Sequence, residues 1–520
     1  MQLIDGEFLL SATDLSKHLA CRHATTLDWK AAHGEIERIH RNDPSIEVLE
    51  ERGRRHEAAY LNYLKDQGHD LLVEGEGLER TRSAMKSGAG VIAQADLRNG
   101  RWRGRADILL KVDKPSDLGL WSYEVIDTKL ASETRGGTIL QLCLYSELVA
   151  EIQGRMPDFV HVVSPGRGFQ PETFRLHDFL AYYRFVKSRL STVVDGAKPP
   201  ETYPEPVEHC DVCSWWPACN DRRRKDDHLS FVAGITKHQI KEFRQSGITT
   251  LAGLAPSHQQ ARLQLEYRNT GKAIYELLPA EPERGLARLP EPSAGDIFLD
   301  FESDPFVEDG GIEYLLGYVT LNDAGGSQYT LAWAVDRTNE RRMFEQFMDM
   351  VVRRREEYPD LHIYHYSPYE PVALKRLMGR YATREDELDR ILRAGLLVDL
   401  HSVVKQSMRA SVEKYSLKDL EIFFGFKRET DLRDARQALQ AMERGLELND
   451  VDSIPADART AVASYNREDC LSTLHLRNWL EHLRPPGPRP PACTRKSERS
   501  PGREASTDSV VDEAFNERSA

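Results

Sequence analysis

The chain has 520 residues, 40% of them hydrophobic and 29% charged, with a formal net charge of −13. That length exceeds a single hydrophobic core and predicts several domains, while the acidic balance argues against a protein that coats nucleic acid by bulk electrostatics. No run reaches the ~20 apolar residues of a membrane span, and the opening stretch MQLIDGEFLL lacks the basic and apolar regions of a secretory signal, so a cytoplasmic location away from membranes is expected.

In chain order, ERGRRHEAAYLNYL (51–64) reads as a helix with His56 at its start, beside Arg52, Arg54 and Arg55. GRADILLKV (104–112) and SYEVIDTKL (122–130) read as the two strands of a hairpin. The period of two puts Tyr123, Val125, Asp127 and Lys129 on one face, with Asp107 near them in the preceding strand. Two carboxylates beside a lysine suit a divalent metal, the lysine positioning water or stabilising a phosphoryl transition state. GTILQLCLYSEL (137–148) is helical in pattern, and Gln141 and Tyr145 share a face. HCDVCSWWPAC (209–219) has the C-x2-C-x5-C spacing of a metal or cluster site that lacks one ligand; in a reducing compartment such clustering points to metal rather than disulfides. The other basic runs, around Arg101 to Arg105, Arg222 to Lys225 and Arg353 to Arg355, read as solvated faces or turns unless they lie beside a site.

Residues 229–290 read as mainly helical, and ITKHQIKEFRQSGITTLAGLA (235–255) as two helices about a Gly247-Ile248 turn, faintly resembling a helix-hairpin-helix element. LPAEPERGLARLPEPSAG (278–295) has linker composition. A second α/β unit begins with DIFLDFESDP (296–305), a strand in which Phe298, Asp300 and Glu302 share one face while Ile297, Leu299 and Phe301 pack inward. Two carboxylates aimed one way from a buried strand demand a cation. LHIYHYSPYEPVALKRL (361–377) reads as strand then helix, with Glu370 at the helix start. AVASYNREDCLSTLHLRNWL (461–480) is helical, with Tyr465 and Asp469 on one face. Asp399, in LLVDLHSVV, is read as a cap for the helix that follows it. Residues 484–520, rich in Pro and Arg, read as a disordered tail in which Cys493 has no structural role.

The series G-x2-H (Gly53, His56), Asp107, D-x-K (Asp127, Lys129) and Q-x3-Y (Gln141, Tyr145) closely resembles the RecB-type nucleases of the PD-(D/E)xK class. The resemblance implies a restriction-endonuclease-like domain in which His56, Asp107 and Asp127 hold Mg²⁺ or Mn²⁺. It makes Lys129 the catalytic lysine, and Gln141 and Tyr145 the residues that contact the DNA strand. One branch of this class, including AddB and the CRISPR-associated exonucleases, carries a [4Fe–4S] cluster on one cysteine near the N-terminus and three after the nuclease core. By that resemblance the ligands are Cys21, in SKHLACRHATTLDW (16–29), with Cys210, Cys213 and Cys219. Structural zinc on the clustered cysteines plus Cys21 or His209 is the alternative. Either way the site is a clasp.

The second unit resembles the DEDD exonucleases of the RNase H-like fold, in their Y-x3-D form. Asp300 and Glu302 match the first motif, Glu370 the second, Tyr465 and Asp469 the third, the acids binding metal and the tyrosine orienting water. The second motif departs from the usual H-N-x2-(F/Y)-D, reading HYSPYE with Tyr366 for Asn and Glu370 for Asp.

Taken together, residues 1–483 resemble RecB-like nucleases that end in an RNase H-like exonuclease domain, longer relatives continuing into a superfamily I helicase. The expected fold class is α/β: a nuclease domain with its clasp over 1–228, a helical connector over 229–290, an RNase H-like domain over 291–483 and the tail from 484 to 520. The expected function is metal-dependent hydrolysis of DNA, at single strands or ends, in repair, recombination or defence, with a helicase in trans as partner and RNA left open as a substrate. The alternative is a non-catalytic nucleic-acid-binding module with vestigial sites.

Overall fold

The computed structural model describes residues 1–39, 44–69, 72–74, 77–131, 133–165, 168–307, 310–322 and 326–486. The tail expected over 484–520 lies outside the described residues from position 487 on, as does Cys493. The chain is mixed α/β and is organised on a six-stranded and a five-stranded sheet.

Helices α1 (Ala12–Ala20), α2 (Arg22–Ala32) and α3 (Pro44–Asp66) precede the first sheet. That sheet runs in chain order: β1 (Leu72–Glu74), β2 (Val91–Asn99), β3 (Trp102–Val112), β4 (Ser122–Thr128), β5 (Phe159–Val163) and β6 (Glu172–Arg175). Strands β2, β3 and β4 form an antiparallel meander, and β4 pairs in parallel with β5 through the crossover helix α4 (Gly136–Gln153). α4 is apolar nearly all round (Leu140, Leu142, Cys143, Leu144, Leu148 and Val149 are buried), as befits a helix enclosed between a sheet and a further layer. That layer is α1 and α5 (His177–Asp195); they join α4, Tyr123, Val125 and Val160 in one core. On the other sheet face, Tyr60 and Leu64 of α3 pack on Val91, Ile108, Ile126 and Val163.

His56 is not at a helix start. α3 begins at Pro44, a residue pre-set for a first helical position, so His56 lies mid-helix, over the end of the sheet. The second strand of the hairpin is also shorter than its sequence pattern, ending at Thr128 and leaving Lys129 just beyond it.

α6 (Trp216–Lys225) closes this region. The connector holds α7 (Lys237–Gln245), α8 (Leu251–Leu254) and α9 (Gln259–Thr270) around a small core of Leu229, Ile240, Leu251 and Leu254. Gly247, at φ +81°, makes the turn between α7 and α8. The following segment is no free linker. Tyr275–Leu277 pairs with Met408–Ala410, and Leu286 and Leu289 are buried against the second core, which its Pro and charge content conceals.

The second sheet has the order β9-β8-β7-β10-β11: β7 (Ile297–Asp304), β8 (Ile312–Leu321), β9 (Ser327–Trp333), β10 (Ile363–His365) and β11 (Leu397–Asp399). β7, β8 and β9 are antiparallel, while β10 and β11 run parallel to the central β7. Ile297, Leu299 and Phe301 pack inward as expected, on Phe344 and Phe347 of α10 (Arg337–Glu357) and Leu374 and Leu377 of α11 (Tyr369–Tyr381). The opposite face is covered too. Phe298 stacks on Tyr364 at 5.3 Å, beneath Leu476 and Leu480 of α14 (Ala456–Leu483). Helices α12 (Leu417–Phe424) and α13 (Leu432–Glu447) flank α14. Among the described residues, no helix is long and apolar enough to cross a membrane.

Candidate functional sites

The crossing of α14 over β7 and β8 makes the densest acid cluster. One carboxylate oxygen each from Asp300, Glu302 and Asp469 lies within 4.8 Å of the others, the only such group of three potential ligands among the described residues. β7 carries the first two on one face; α14 supplies the third. The close approach depends on Gly317, which pairs with Asp300 in the β7–β8 register. A Cβ there would stand 1.8 Å from Asn466 Oδ1, so glycine alone leaves room for the helix. Asn466 uses that room to donate its Nδ2 to Asp300 Oδ2 (2.8 Å), while its Oδ1 accepts from the Tyr329 hydroxyl (2.9 Å).

Three acids this close, Asp469 buried and the other two half-buried, resist ionising together. Burial raises the Asp300 carboxyl well above its usual range, with Glu302, Asp469 and Glu370 adding repulsion. Burial, then Asp469, pushes Glu302 up to about 8. Hard oxygen donors in excess of local positive charge suit Mg²⁺ or Mn²⁺.

Glu370 sits in the first turn of α11, buried, within electrostatic reach of Asp300 but outside the group of three. His365 Nδ1 lies 3.2 Å from its Oε2, but is committed to the Ser367 carbonyl at 2.6 Å, and Oε2 has no hydrogen-bond partner. A buried carboxylate within electrostatic reach of the acid cluster adds to its call for a cation. Asp399 caps the helix after β11, accepting from His401 N (2.9 Å) and Ser402 Oγ (2.5 Å). Tyr465 lies one helical turn before Asp469 and takes the Lys418 ammonium over its ring at 4.7 Å.

Three residues at this site escaped the motif reading: Asn466, Lys418 and Arg428. Lys418 Nζ straddles Asp469 (3.4 and 3.3 Å), and Arg428 Nη2 reaches Asp469 Oδ1 (2.5 Å) and Glu421 Oε1 (2.6 Å). Asn466 could have been found, since it adjoins Tyr465 in a helix whose buried face runs through both motif residues. Lys418 and Arg428 carry no spacing signal.

At the first sheet, the antiparallel pairing of Ile108 with Ile126 sets Asp107, in the middle of β3, opposite Asp127 near the end of β4. Asp107 Oδ2 accepts from Thr128 N (2.8 Å) and Thr128 Oγ1 (3.0 Å). Asp127 is fully buried, with Lys129 Nζ at 2.8 Å and Gln141 Nε2 at 3.0 Å. Burial, then Asp107, pushes its carboxyl up to about 7. Tyr145 packs over Gly104, where a Cβ would meet its ring at 2.2 Å. Asp107, Asp127, Lys129, Gln141 and Tyr145 thus gather in one place. His56 does not join a ligand group with the two aspartates: its Nε2 faces the Val163 carbonyl at 3.1 Å, the carbonyl that also accepts from Lys129 N at 3.0 Å. Its neighbour Glu57 is a missed acid. Burial raises its carboxyl and Asp107 adds repulsion, while Gln94 donates to it at 2.5 Å. Gln94 adopts a left-handed φ of +51°, a strain of about 1 kcal/mol of the kind that gathers at functional sites.

The four cysteines also converge. Cys21, Cys210, Cys213 and Cys219 line one cavity of about 10 Å³ with His209, Trp215 and Trp216. Cys21 caps α2, its sulfur accepting from Ala24 N (3.4 Å), and Cys210 Sγ accepts from Val207 N (3.4 Å). Trp215 Nε1 donates to Asp28 (2.9 Å), pinning the distal cysteines to α2. Burial and the other three sulfurs push the Cys219 thiol up to about 12, so its thiolate requires a cation. No three of the four sulfurs lie within 4.8 Å of one another.

The basic runs mostly tie elements together. Arg101 pairs with Asp195, Arg105 with Asp96, Arg222 with Asp226 and Arg224 with Glu413, while Arg354 donates to the Ala294, Gly295 and Leu321 carbonyls.

Residues 297–481 match the family model described as RNase_H superfamily. None of the curated proteins compared matches the chain. The C-terminal part of this chain is an RNase H-like domain, of a class that hydrolyses nucleic acid with divalent metal ions, and its acid cluster lies inside the matched segment.

Proposed function

We propose that the chain is a divalent-metal-dependent nuclease of DNA, acting on single strands or ends, with two nuclease centres in separate domains: residues 1–228 with a restriction-endonuclease-like domain, and 291–483 with the RNase H-like one, joined by the helical connector of 229–290. The observation that carries the reading is the convergence of Asp300, Glu302 and Asp469 within 4.8 Å inside the segment that matches the RNase_H superfamily. Asp300, Glu302, Glu370 and Asp469 would hold Mg²⁺ or Mn²⁺, which supplies water activation and charge neutralisation on the phosphate. The chain's own residues prepare that reaction. Asn466 orients Asp300, Arg428 fixes Asp469, and Tyr465 is assigned to orient the attacking water by resemblance. The water oxygen bonds to phosphorus, the bond from phosphorus to the leaving sugar oxygen breaks, and that oxygen takes a proton.

The first centre is assigned to Asp127 and Asp107 as metal ligands, with Lys129 stabilising the pentavalent phosphorus and Gln141 and Tyr145 placing the strand. By resemblance His56 would complete the ligand set on metal binding, turning to it from the Val163 carbonyl that its Nε2 faces in the structure. The convergence of the four cysteines on one cavity supports a metal clasp, read by resemblance as a [4Fe–4S] cluster. Structural zinc on the same cysteines is the alternative occupant. Closing a loop between Cys21 and the distal three would pin the two ends of the first domain together. A role in repair, recombination or defence, with a helicase in trans, completes the reading.

The test is cleavage of end-labelled single- and double-stranded DNA, and of RNA, with Mg²⁺ or Mn²⁺ against EDTA. Activity should vanish in the double variant Lys129→Ala, Asp300→Ala. Full activity of that double variant would overturn the reading, and binding that persists in EDTA without cleavage under any divalent ion would establish a non-catalytic module instead.

A further inference from the structure

Asp469 is held by two cations of unequal standing. The Arg428 side chain is only 7% exposed and is locked on its far side by Glu421, whose Oε1 also accepts from Ser472 (2.8 Å). It cannot leave without stranding a buried carboxylate. Lys418 is different. Its side chain is 33% exposed, it sits in the first turn of α12, and it straddles both Asp469 oxygens at 3.3 and 3.4 Å rather than forming one short bond. It also lies within electrostatic reach of Asp300 and Glu302 and over the Tyr465 ring. A long, flexible, partly solvated ammonium on a carboxylate that must also serve a divalent ion is a displaceable counter-charge.

We propose that Lys418 is a phosphate-contacting residue of the second centre. It guards Asp469 while no divalent ion is bound, is displaced when the ion takes an Asp469 oxygen, and then donates to a non-bridging oxygen of the scissile phosphate beside Tyr465. The proposal rests on reading this centre as a nuclease. It adds that Lys418 binds the nucleic-acid backbone only when metal is present, whereas Arg428 is a positioning residue that never leaves Asp469.

The test uses the full chain and a fluorescent single-stranded DNA oligonucleotide, with anisotropy measured in Ca²⁺ and in EDTA. Lys418→Ala should bind about tenfold more weakly than the unsubstituted chain in Ca²⁺ and within twofold of it in EDTA, and Lys418→Arg should restore most of the loss. In calorimetry, on an Asp127→Asn background that silences the first centre, Lys418→Ala should bind Mn²⁺ at least as tightly as its parent, because a competing cation is gone. An equal loss of oligonucleotide binding in both conditions, no loss in either, or a tenfold fall in Mn²⁺ affinity would overturn the proposal. If the chain shows the Ca²⁺-dependent difference but cleaves neither DNA nor RNA, the nuclease reading fails, and with it the scissile-phosphate contact, while metal-dependent backbone binding by Lys418 stands.

Discussion

The two acid clusters use the same ingredients to different effect. In the first sheet Asp127 is answered locally, by Lys129 at 2.8 Å and Gln141 at 3.0 Å, and Asp107 is spent on the Thr128 backbone and hydroxyl. In the second, β7 and α14 bring three carboxylate oxygens within 4.8 Å, and Glu370 is buried nearby with His365 Nδ1 3.2 Å from its Oε2. A lysine stands by an aspartate in both. The difference lies in how many carboxylates remain unanswered, and that surplus, more than any motif spacing, sets how strongly a centre calls for a cation.

The largest expected effect tests that ranking directly. Asp300→Asn should weaken Mn²⁺ binding at the second centre about 100-fold, read by calorimetry, and cut that centre's cleavage by about a thousandfold, on the scale of losing a metal-held nucleophile. An equal loss of Mn²⁺ binding from Asp127→Asn would reverse the comparison.

Acidity separates the centres next. Asp127, pushed up to about 7, and Glu302, up to about 8, keep protons in the folded chain that the unfolded chain releases near pH 4. Without metal, the stability these groups set should therefore be highest at or below about pH 4, fall as pH climbs from there to about 7–8, and level off above that. For Asp127 alone the loss is on the order of 2–4 kcal/mol. Chemical denaturation in EDTA at pH 5 and pH 8 reads this slope. Asp127→Asn should remove the first centre's share, and Mg²⁺ should flatten what the second contributes.

Packing gives a third contrast. Gly317→Ala forces a methyl into Asn466 and should cost about 2–3 kcal/mol, seen as a lowered melting temperature, together with weaker Mn²⁺ binding. Gly104→Ala meets only a tyrosine ring and should cost less. The smallest effect is expected at Arg52, whose Nε lies 3.2 Å from Glu447 Oε2. Burial and Asp304 push the Glu447 carboxyl up to about 7 despite Arg52. Arg52→Ala should cost about 1–2 kcal/mol at pH 8, where Glu447 is charged and loses its partner, and less at pH 5.

Much of this was legible. Period-two patterns put Asp300 with Glu302 and Asp127 near Lys129, and helical spacing put Tyr465 above Asp469, because each rests on short-range geometry. Residues that arrive from a distance were not. Lys418 and Arg428 come from the turns around α12, and nothing distinguishes them in sequence from other basic residues. Glu57 was hidden by its neighbour His56, the motif residue, whose Nε2 faces the Val163 carbonyl. His56 was placed at a helix start because the arginine run looked like a boundary, yet the periodic pattern extends back to Pro44. The supposed linker failed for a similar reason: two leucines, Leu286 and Leu289, outweigh its Pro and Gly when a hydrophobic groove is there to take them.

Helix α3 carries more than His56 and Glu57. One turn earlier on the same rod, Arg52 enters the far end of β7, donating to the Phe306 carbonyl at 2.6 Å and pairing with Glu447 beside Asp304, two residues past Glu302. Arg55 reaches the Leu448 carbonyl at 3.2 Å. Helix and strand therefore act as one beam with an acid pocket at each end. A displacement of α3 at its Glu57 end is passed to the end of β7 through two polar contacts of Arg52, a mechanical coupling between the two sheets.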